Sequence, residues 1–182
     1  NSFEDGIYVS NNGGNSWRLL EGSPRGVLKM CLDKNGILYT AGRIAPKVAK
    51  MNMNGEWTDI TPQKYQITRN TPPSARRALQ DFNYCGISVD PVRPERIVLS
   101  LDYKTPNKMF TSTNGGASWQ EVQPVLNHTV PWWPEAWWGG GVADVECDPH
   151  RPGKVWFVDF KGVWYTEDIY AESSIWINPE KG

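Results

Sequence analysis

A motif that recurs three times along the chain is the strongest constraint on its fold. In its two clearest copies, residues 86–99 and 143–157, an apolar segment ends in Asp-Pro, and a second apolar segment follows a short polar turn. A looser copy occupies residues 28–39. The anchoring residues are 57 and 58 positions apart and are Asp33, Asp90 and Asp148. Such a period predicts a hairpin within one four-stranded antiparallel sheet per repeat.

Each repeat continues with another apolar segment and a polar turn. The two clearest copies of this turn share a serine, an asparagine, a glycine and a tryptophan at equal spacing: Ser10, Asn12, Gly14 and Trp17, then Ser112, Asn114, Gly116 and Trp119. The pattern resembles the Asp box, Ser/Thr-x-Asp-x-Gly-x-x-Trp, of sialidases, sortilin-like receptors and several glycoside hydrolase propellers. We expect the serine and asparagine side chains to bind the turn backbone and the tryptophan to pack under the hairpin. Degenerate copies cover residues 53–57 and 166–176.

These repeats predict an all-β protein with the β-propeller fold, built from about three four-stranded blades. Because propellers typically carry about four to eight blades, we expect an arc of a larger, seven-bladed propeller and a fragment of a longer protein. The expected boundaries are an outer hairpin with its box at 1–24, blades at 25–62, 83–122 and 141–177, and long loops at 63–82 and 123–140.

Composition narrows the possible partners. Nineteen Lys and Arg balance twenty Asp and Glu, giving a net charge of -1, so we expect no nucleic-acid partner. No apolar run reaches the roughly 18–20 residues of a membrane helix, so we expect no membrane partner. The N-terminus lacks a signal-peptide pattern, and we expect any such peptide to have been removed or to lie far upstream. Cys31, Cys85 and Cys147 lack metal-ligand spacing, and we interpret them as small buried residues rather than disulfide partners.

One loop concentrates aromatic residues. Four of the ten tryptophans lie within seven positions, beside prolines, glycines and a carboxylate: Trp132, Trp133, Trp137 and Trp138, with Glu135. This spacing fits neither a strand nor a helix core, so we assign the side chains to a loop. Flat indoles stack on the C–H faces of sugar rings, and the loop therefore predicts a carbohydrate-binding groove. The alternative is that these tryptophans fill the propeller hub or pack under the loop.

Two further loops are expected on the same face of the propeller. The loop of residues 63–82 contains Arg69, Arg76 and Arg77, which form either a second wall of the groove or an ordinary solvated surface. The loop that follows the second apolar segment of the middle repeat adds Asp102 and Tyr103 as candidate ligand contacts.

No catalytic constellation is evident. A glycosidase generally needs two carboxylates about 5–9.5 Å apart. The candidates on the loop-rich face show no diagnostic spacing and are Asp81, Asp102, Glu135, Asp144 and Asp159. With two histidines and no Cys/His cluster, the sequence predicts neither a metal site nor a Ser-His-Asp triad, and we expect no cofactor.

The order of these elements resembles glycoside hydrolase family 74, xyloglucan-active enzymes made of two seven-bladed propellers. The resemblance is carried by residues 6–8 with their box, 56–62, 86–91, the box ending at Trp119, the Pro131-Trp132 loop, 145–149 and 162–164. It implies inverting hydrolysis by two aspartates that lie outside this chain. By the same resemblance, the chain corresponds to later blades of the first propeller and supplies the walls of the substrate cleft.

Two hypotheses follow. The first is the carbohydrate-binding portion of a secreted, extracellular glycoside hydrolase acting on plant cell-wall β-glucan, above all xyloglucan. This segment alone is expected to be inactive, and its partners are a polysaccharide or oligosaccharide and the remaining propeller segments, or another chain, that complete the ring. The alternative is a non-catalytic Asp-box propeller that binds protein, such as a sortilin-like receptor or an assembly factor.

Overall fold

Mostly antiparallel strands and tight turns make up the fold. The computed structural model describes residues 5–63, 83–102, 109–122, 124–126, 142–159 and 162–179, and this part of the chain contains strands but no α-helix. The strands are β1 (Tyr8–Val9), β2 (Arg18–Leu19), β3 (Val27–Leu32), β4 (Leu38–Gly42), β5 (Val48–Met51), β6 (Trp57–Asp59), β7 (Asn83–Val89), β8 (Ile97–Asp102), β9 (Met109–Ser112), β10 (Gln120–Glu121), β11 (Pro124–Leu126), β12 (Asp144–Cys147), β13 (Val155–Asp159), β14 (Gly162–Thr166) and β15 (Ser174–Trp176). The all-β prediction is confirmed.

Two sheets have four antiparallel strands in sequence order. We call the sheet β3-β4-β5-β6 blade A and the sheet β7-β8-β9-β10 blade B. Strands β1 and β2 form a separate two-stranded ribbon. In the ribbon Val9 pairs with Arg18, and in blade B Thr111 pairs with Gln120 across an equivalent turn. The ribbon therefore corresponds to the outer two strands of a blade.

The third sheet, which we call blade C, pairs β12, β13 and β14, and a bridge between Tyr165 and Ile177 brings β15 to its outer edge. Strand β11 pairs with β15 in parallel, with Val125 opposite Ile175. The sequence places residues 124–126 in a loop, and here the structure differs. Three apolar residues carry too little periodicity to separate strand from loop, and their partner strand lies far along the chain.

The turns between the first two strands of each blade are closed by the recurring aspartates. In each turn one carboxylate oxygen accepts two backbone N–H bonds, at 2.8–3.1 Å, within four residues of the aspartate. The aspartates are Asp33, Asp90 and Asp148. These local hydrogen bonds show that the aspartates stabilise the turns.

The buried core lies between neighbouring blades. Tyr39 and Ala41 of blade A pack in one cluster with Ile87 and Leu99 of blade B. Val98 and Met109 of blade B join Val145, Phe157 and Trp176 of blade C in a second cluster. The innermost strands also adjoin in order, with β3 against β7 and β7 against β12. Since each buried aliphatic side chain contributes roughly 1.5–3 kcal/mol, the shared cores hold the blades together.

Candidate functional site

Three segments with predicted binding-face residues each have one end at the same edge of blades B and C. Residues 64–82 precede β7, residues 103–108 join β8 to β9, and residues 127–141 precede β12. Asn83 and Asp102 lie opposite each other at the ends of β7 and β8. Close by, the Cys85 thiol donates a hydrogen bond to the carbonyl oxygen of Val142 at 2.6 Å. The ends of the three segments are therefore neighbours.

The tight turns gather at the opposite edge of the blades. In blade B the Gly115 N–H donates to the Glu95 carbonyl oxygen at 2.8 Å, which joins the box turn to the turn after Asp90. In blade C the Ile169 N–H donates to the Gly153 carbonyl oxygen at 2.9 Å. These contacts place the two kinds of turn on one edge of the blades.

The predicted ligand-contacting side chains mostly lie outside the described residues. These are Trp132, Trp133, Glu135, Trp137, Trp138 and Tyr103, together with Arg69, Arg76, Arg77 and the carboxylate candidate Asp81. Asp102 is the last residue of β8. The described part of the candidate site therefore consists of the strand ends next to these segments.

The serine and asparagine of the turn around Ser112 bind the turn backbone, as the sequence predicts. The Ser112 hydroxyl accepts the Gly116 N–H at 2.9 Å and donates to Asn114 Oδ1 at 3.0 Å. Asn114 Oδ1 also accepts the Ser118 N–H at 2.9 Å. The turn around Ser10 repeats the same pattern at 2.8–3.0 Å. Asparagine thus supplies the oxygen acceptor without a charge.

We expect Ser112→Ala to destabilise the fold by about 1–3 kcal/mol, because it leaves the buried Gly116 N–H without its acceptor. The matched control is Ser10→Ala, whose turn is exposed so that water replaces the lost hydroxyl. The Ser10→Ala substitution should lower the free energy of unfolding by about 0.5–1 kcal/mol. Urea unfolding of both variants gives the two values. Equal losses of stability in the two variants would show that burial of the Ser112 turn does not increase the cost of removing its hydroxyl group.

Two tryptophans at the turns donate hydrogen bonds to the preceding sheet. Trp119 of blade B donates from Nε1 to the Ile60 carbonyl oxygen at the end of blade A, at 2.7 Å. Trp57 of blade A donates from Nε1 to the Glu21 carbonyl oxygen, just after the β1–β2 ribbon, at 3.3 Å. The sequence predicts that Trp119 packs under its own hairpin, and the hydrogen bond to the neighbouring blade is an additional finding. Trp17 of the ribbon is 61% exposed.

A polar cluster joins the innermost strands of all three blades. Lys29 Nζ on β3 reaches Asp144 Oδ2 at 2.7 Å and Glu146 Oε1 at 2.8 Å, both on β12. On the intervening β7, the Ser88 hydroxyl donates to Glu146 Oε2 at 2.9 Å and accepts the Cys147 N–H at 3.0 Å. Asp144, a candidate catalytic carboxylate in the sequence, is thus engaged in an ion pair.

The ammonium of Lys29 is stabilised by this cluster. Burial lowers the pKa of Lys29, but the hydrogen bonds and charges of Asp144 and Glu146 outweigh it, so the pKa lies above its ordinary value. A lysine whose pKa rises on folding stabilises the fold below its unfolded pKa, about 10.4, and loses that contribution as the pH rises through the folded pKa.

We expect Lys29→Met to destabilise the fold by about 1–2 kcal/mol near neutral pH, because two neighbouring carboxylates lose their shared cation. The difference between the variant and the parent should stay constant to about pH 10 and narrow above it. Urea unfolding of both proteins from about pH 7 to pH 11.5 checks this. A difference that does not change with pH would contradict the ionic role and leave only a packing role.

Asp159, the other described carboxylate candidate, has a structural position. It is 7% exposed, and its Oδ1 accepts the Gly162 N–H at 3.1 Å and the Trp164 indole N–H at 3.2 Å. These bonds close the hairpin between β13 and β14. The two candidate carboxylates with described side chains, Asp144 and Asp159, therefore stabilise the sheet in this structure.

Two of the cysteines, Cys31 and Cys147, carry unreactive thiols. All three are half-buried, and none forms a disulfide bond. Burial, with nearby negative charges, raises the pKa of the Cys31 and Cys147 thiols to about 12, so both stay protonated near neutral pH. Across the described strands and turns, no group of three or more His, Cys, Asp or Glu side chains could hold a metal ion. That part of the chain also contains no helix able to span a membrane.

Four-stranded sheets that share cores around adjoining innermost strands define the chain as part of a β-propeller. No protein-family model matches it. The sequence is homologous to xyloglucanase Xgh74A of Acetivibrio thermocellus, at 29% identity over 85% of this chain and 21% of that protein. It is likewise 29% identical to the oligoxyloglucan-reducing end-specific xyloglucanase of Emericella nidulans, over 74% of this chain and 20% of that protein. The chain spans about a fifth of the length of these curated relatives.

Solved structures show the same fold. The GH74 enzyme of Niastella koreensis superposes with a TM-score of 0.69 and 22% identity, over 95% of this chain and 26% of that one. The GH74 xyloglucanase from Xanthomonas campestris gives a TM-score of 0.70 and 21% identity, over 93% and 25%. The structure of YCF48 bound to D1 peptide gives 0.50 and 15%, over 84% and 38%. The predicted propeller fold is confirmed.

Proposed function

We propose that this chain forms part of the substrate-binding face of an extracellular glycoside hydrolase acting on xyloglucan. The observation that carries the proposal is the sequence similarity to xyloglucanases over 85% of the chain. Three segments that each have one end at the same edge support it, because a groove needs several loops on one edge of a rigid scaffold. The catalytic aspartates lie outside this chain in this proposal, and the chain alone is inactive.

The tryptophan-rich segment supplies the stacking surface in this proposal. Trp132, Trp133, Trp137 and Trp138 contact the sugar rings, and Glu135, Asp102 and Tyr103 address the hydroxyl groups. The serine, asparagine and glycine positions of the two box turns are structural Asp-box residues, and further blades complete the ring. The engagement of Asp144 and Asp159 in the sheet supports the placement of catalysis elsewhere.

A titration of tryptophan fluorescence with xyloglucan oligosaccharides tests the proposal, with cello-oligosaccharides as the comparison and calorimetry as a second readout. Saturable binding of xyloglucan fragments, with no release of reducing sugar, is the expected result. Binding of neither glycan by a folded sample would contradict it.

We expect the double variant Trp132→Ala, Trp133→Ala to bind xyloglucan fragments about tenfold or more weakly, because each lost stacking contact costs roughly 0.5–1.5 kcal/mol beyond its buried area. Trp17→Ala is the matched control, since Trp17 is an exposed indole on the turn edge. Calorimetric titration of the three proteins compares their dissociation constants. Unchanged affinity in the double variant would remove these two residues from the site.

The second candidate function is a non-catalytic propeller that binds protein. The fold likeness to YCF48, whose structure was solved with a D1 peptide, supports this alternative, since the same fold accommodates a peptide there. A peptide ligand that competes at the tryptophan-rich segment, together with no glycan binding, would favour it over the hydrolase.

A further inference from the structure

Four Asn-Gly pairs lie in tight turns of the described structure. In each pair the glycine has a positive φ, between 67° and 85°, and the asparagines are Asn12, Asn35, Asn54 and Asn114. Asparagine before glycine is open to deamidation, because glycine has no side chain to keep its backbone nitrogen away from the asparagine carboxamide. The turns therefore concentrate one kind of chemically labile site.

Deamidation needs water and no other co-reactant. The glycine nitrogen loses its proton to water and attacks Cγ of the asparagine side chain, the bond from Cγ to Nδ2 breaks, and ammonia leaves. Water then opens the cyclic imide and gives aspartate or isoaspartate. A carboxamide held by hydrogen bonds reacts more slowly, since it must first be released and turned toward the glycine nitrogen.

Both box turns hold the asparagine carboxamide at three points. Asn12 Oδ1 accepts the Ser10 hydroxyl at 3.0 Å and the Ser16 N–H at 2.9 Å, and its Nδ2 donates to the Ser16 hydroxyl at 2.9 Å. Asn114 has the same three bonds at 2.8–3.0 Å. The Gly115 N–H is also bonded to a carbonyl oxygen of the neighbouring turn, at 2.8 Å. The box thus opposes deamidation of its own asparagine.

The turn between β5 and β6 leaves its asparagine carboxamide unheld. Asn54 is exposed, and its carboxamide makes no hydrogen bond with the described part of the chain. The Gly55 N–H donates to the Asn52 carbonyl oxygen at 3.0 Å, and a single bond in an exposed turn opens readily. A Cβ atom on Gly55 would meet nothing within 4 Å, so this glycine has room to approach the carboxamide.

The turn at Asn35 is more restricted. Its carboxamide likewise makes no hydrogen bond with the described residues. Met53 covers the following glycine, however, with Sδ 2.8 Å from the position of a Cβ atom on Gly36. The Gly36 nitrogen therefore approaches the carboxamide only if Met53 moves as well.

We propose that Asn54 is the principal deamidation site of this chain and that the box protects Asn12 and Asn114 from the same reaction. Isoaspartate formed at Asn54 adds a methylene group to the main chain between β5 and β6. The hydrogen bonds by which Asn52 closes this turn are then distorted. The inference rests on turn geometry and is independent of the proposed glycan ligand.

Peptide mapping by mass spectrometry, after incubation of the full chain at mildly alkaline pH, measures the reaction rate at each asparagine. The same chain unfolded in urea gives a reference rate for each site, so that the effects of sequence neighbours cancel. Relative to urea, we expect folding to slow Asn12 and Asn114 about tenfold or more beyond any slowing at Asn54, since their hydrogen bonds must break first. Equal slowing at Asn12, Asn54 and Asn114 would overturn the inference.

Ser10→Ala is the matched variant. It removes one hydrogen bond to the Asn12 carboxamide and two that close the same turn, and it leaves the turn of Asn54 unchanged. We expect deamidation at Asn12 to accelerate several-fold in this variant, while Asn54 keeps the rate of the parent protein. An unchanged rate at Asn12 would show that the box hydrogen bonds give no protection and would also overturn the inference.

Discussion

Replacing Trp176 with alanine is expected to destabilise the fold by about 3–5 kcal/mol, the largest single effect among these predictions. The side chain is fully buried, its ring meets Phe157 edge-on at 4.8 Å, and its Nε1 donates to the Ser174 hydroxyl at 3.0 Å. The variant loses an aromatic contact and leaves a cavity in the core that blades B and C share.

Urea unfolding followed by circular dichroism measures this loss. Trp17→Ala is the matched control, because the same substitution at a side chain that is 61% exposed should change stability by about 0.5 kcal/mol or less. If the two variants lost equal stability, Trp176 would not anchor the core of blade C.

Gly86→Ala should cost about 3 kcal/mol, at the upper end for an added methyl group. A Cβ atom on Gly86 would lie 2.5 Å from Ser100 Oγ and 2.9 Å from the backbone nitrogen of Val145. The serine hydroxyl can rotate away, but the Val145 nitrogen belongs to the innermost strand of blade C. The added methyl group therefore forces blades B and C apart.

Gly6→Ala is the comparison for this second prediction. A Cβ there would approach Leu19 Cδ1 at 2.7 Å and Ser23 Oγ at 3.0 Å, both ends of side chains that can move. We expect the Gly6 variant to lose about 1 kcal/mol. Calorimetric thermal unfolding of both variants measures the two losses of stability. If the Gly86 variant were as stable as the Gly6 variant, blade C would be able to shift with little loss of folding free energy.

The fold could be predicted because its determinants are local. The turn after Asp33 and the box at Ser112 form through hydrogen bonds between residues two to four positions apart, so their side chains appear as short patterns. Repetition of these patterns at a fixed period then indicates a propeller without any knowledge of distant contacts.

Contacts between blades could not be predicted in this way. Lys29 meets Asp144 across 115 positions of sequence, and neither residue differs locally from an ordinary solvated charge. The pairing of β11 with β15 also depends on a distant partner. The sequence of the tryptophan-rich loop indicates carbohydrate chemistry, but the direction of each indole depends on packing that no local pattern encodes. For this reason, the binding residues remain predictions.

The hydrogen bonds of Trp57 and Trp119 have a consequence for how such a chain could have grown. Each donor is a side chain within the repeat, whereas each acceptor is a main-chain carbonyl of the preceding unit. A main-chain acceptor exists whatever side chain the preceding unit carries at that position. A unit added by gene duplication could therefore form this hydrogen bond to the preceding unit without any matching substitution there. Sequence divergence at the edge opposite the turns is then free to proceed without weakening these hydrogen bonds.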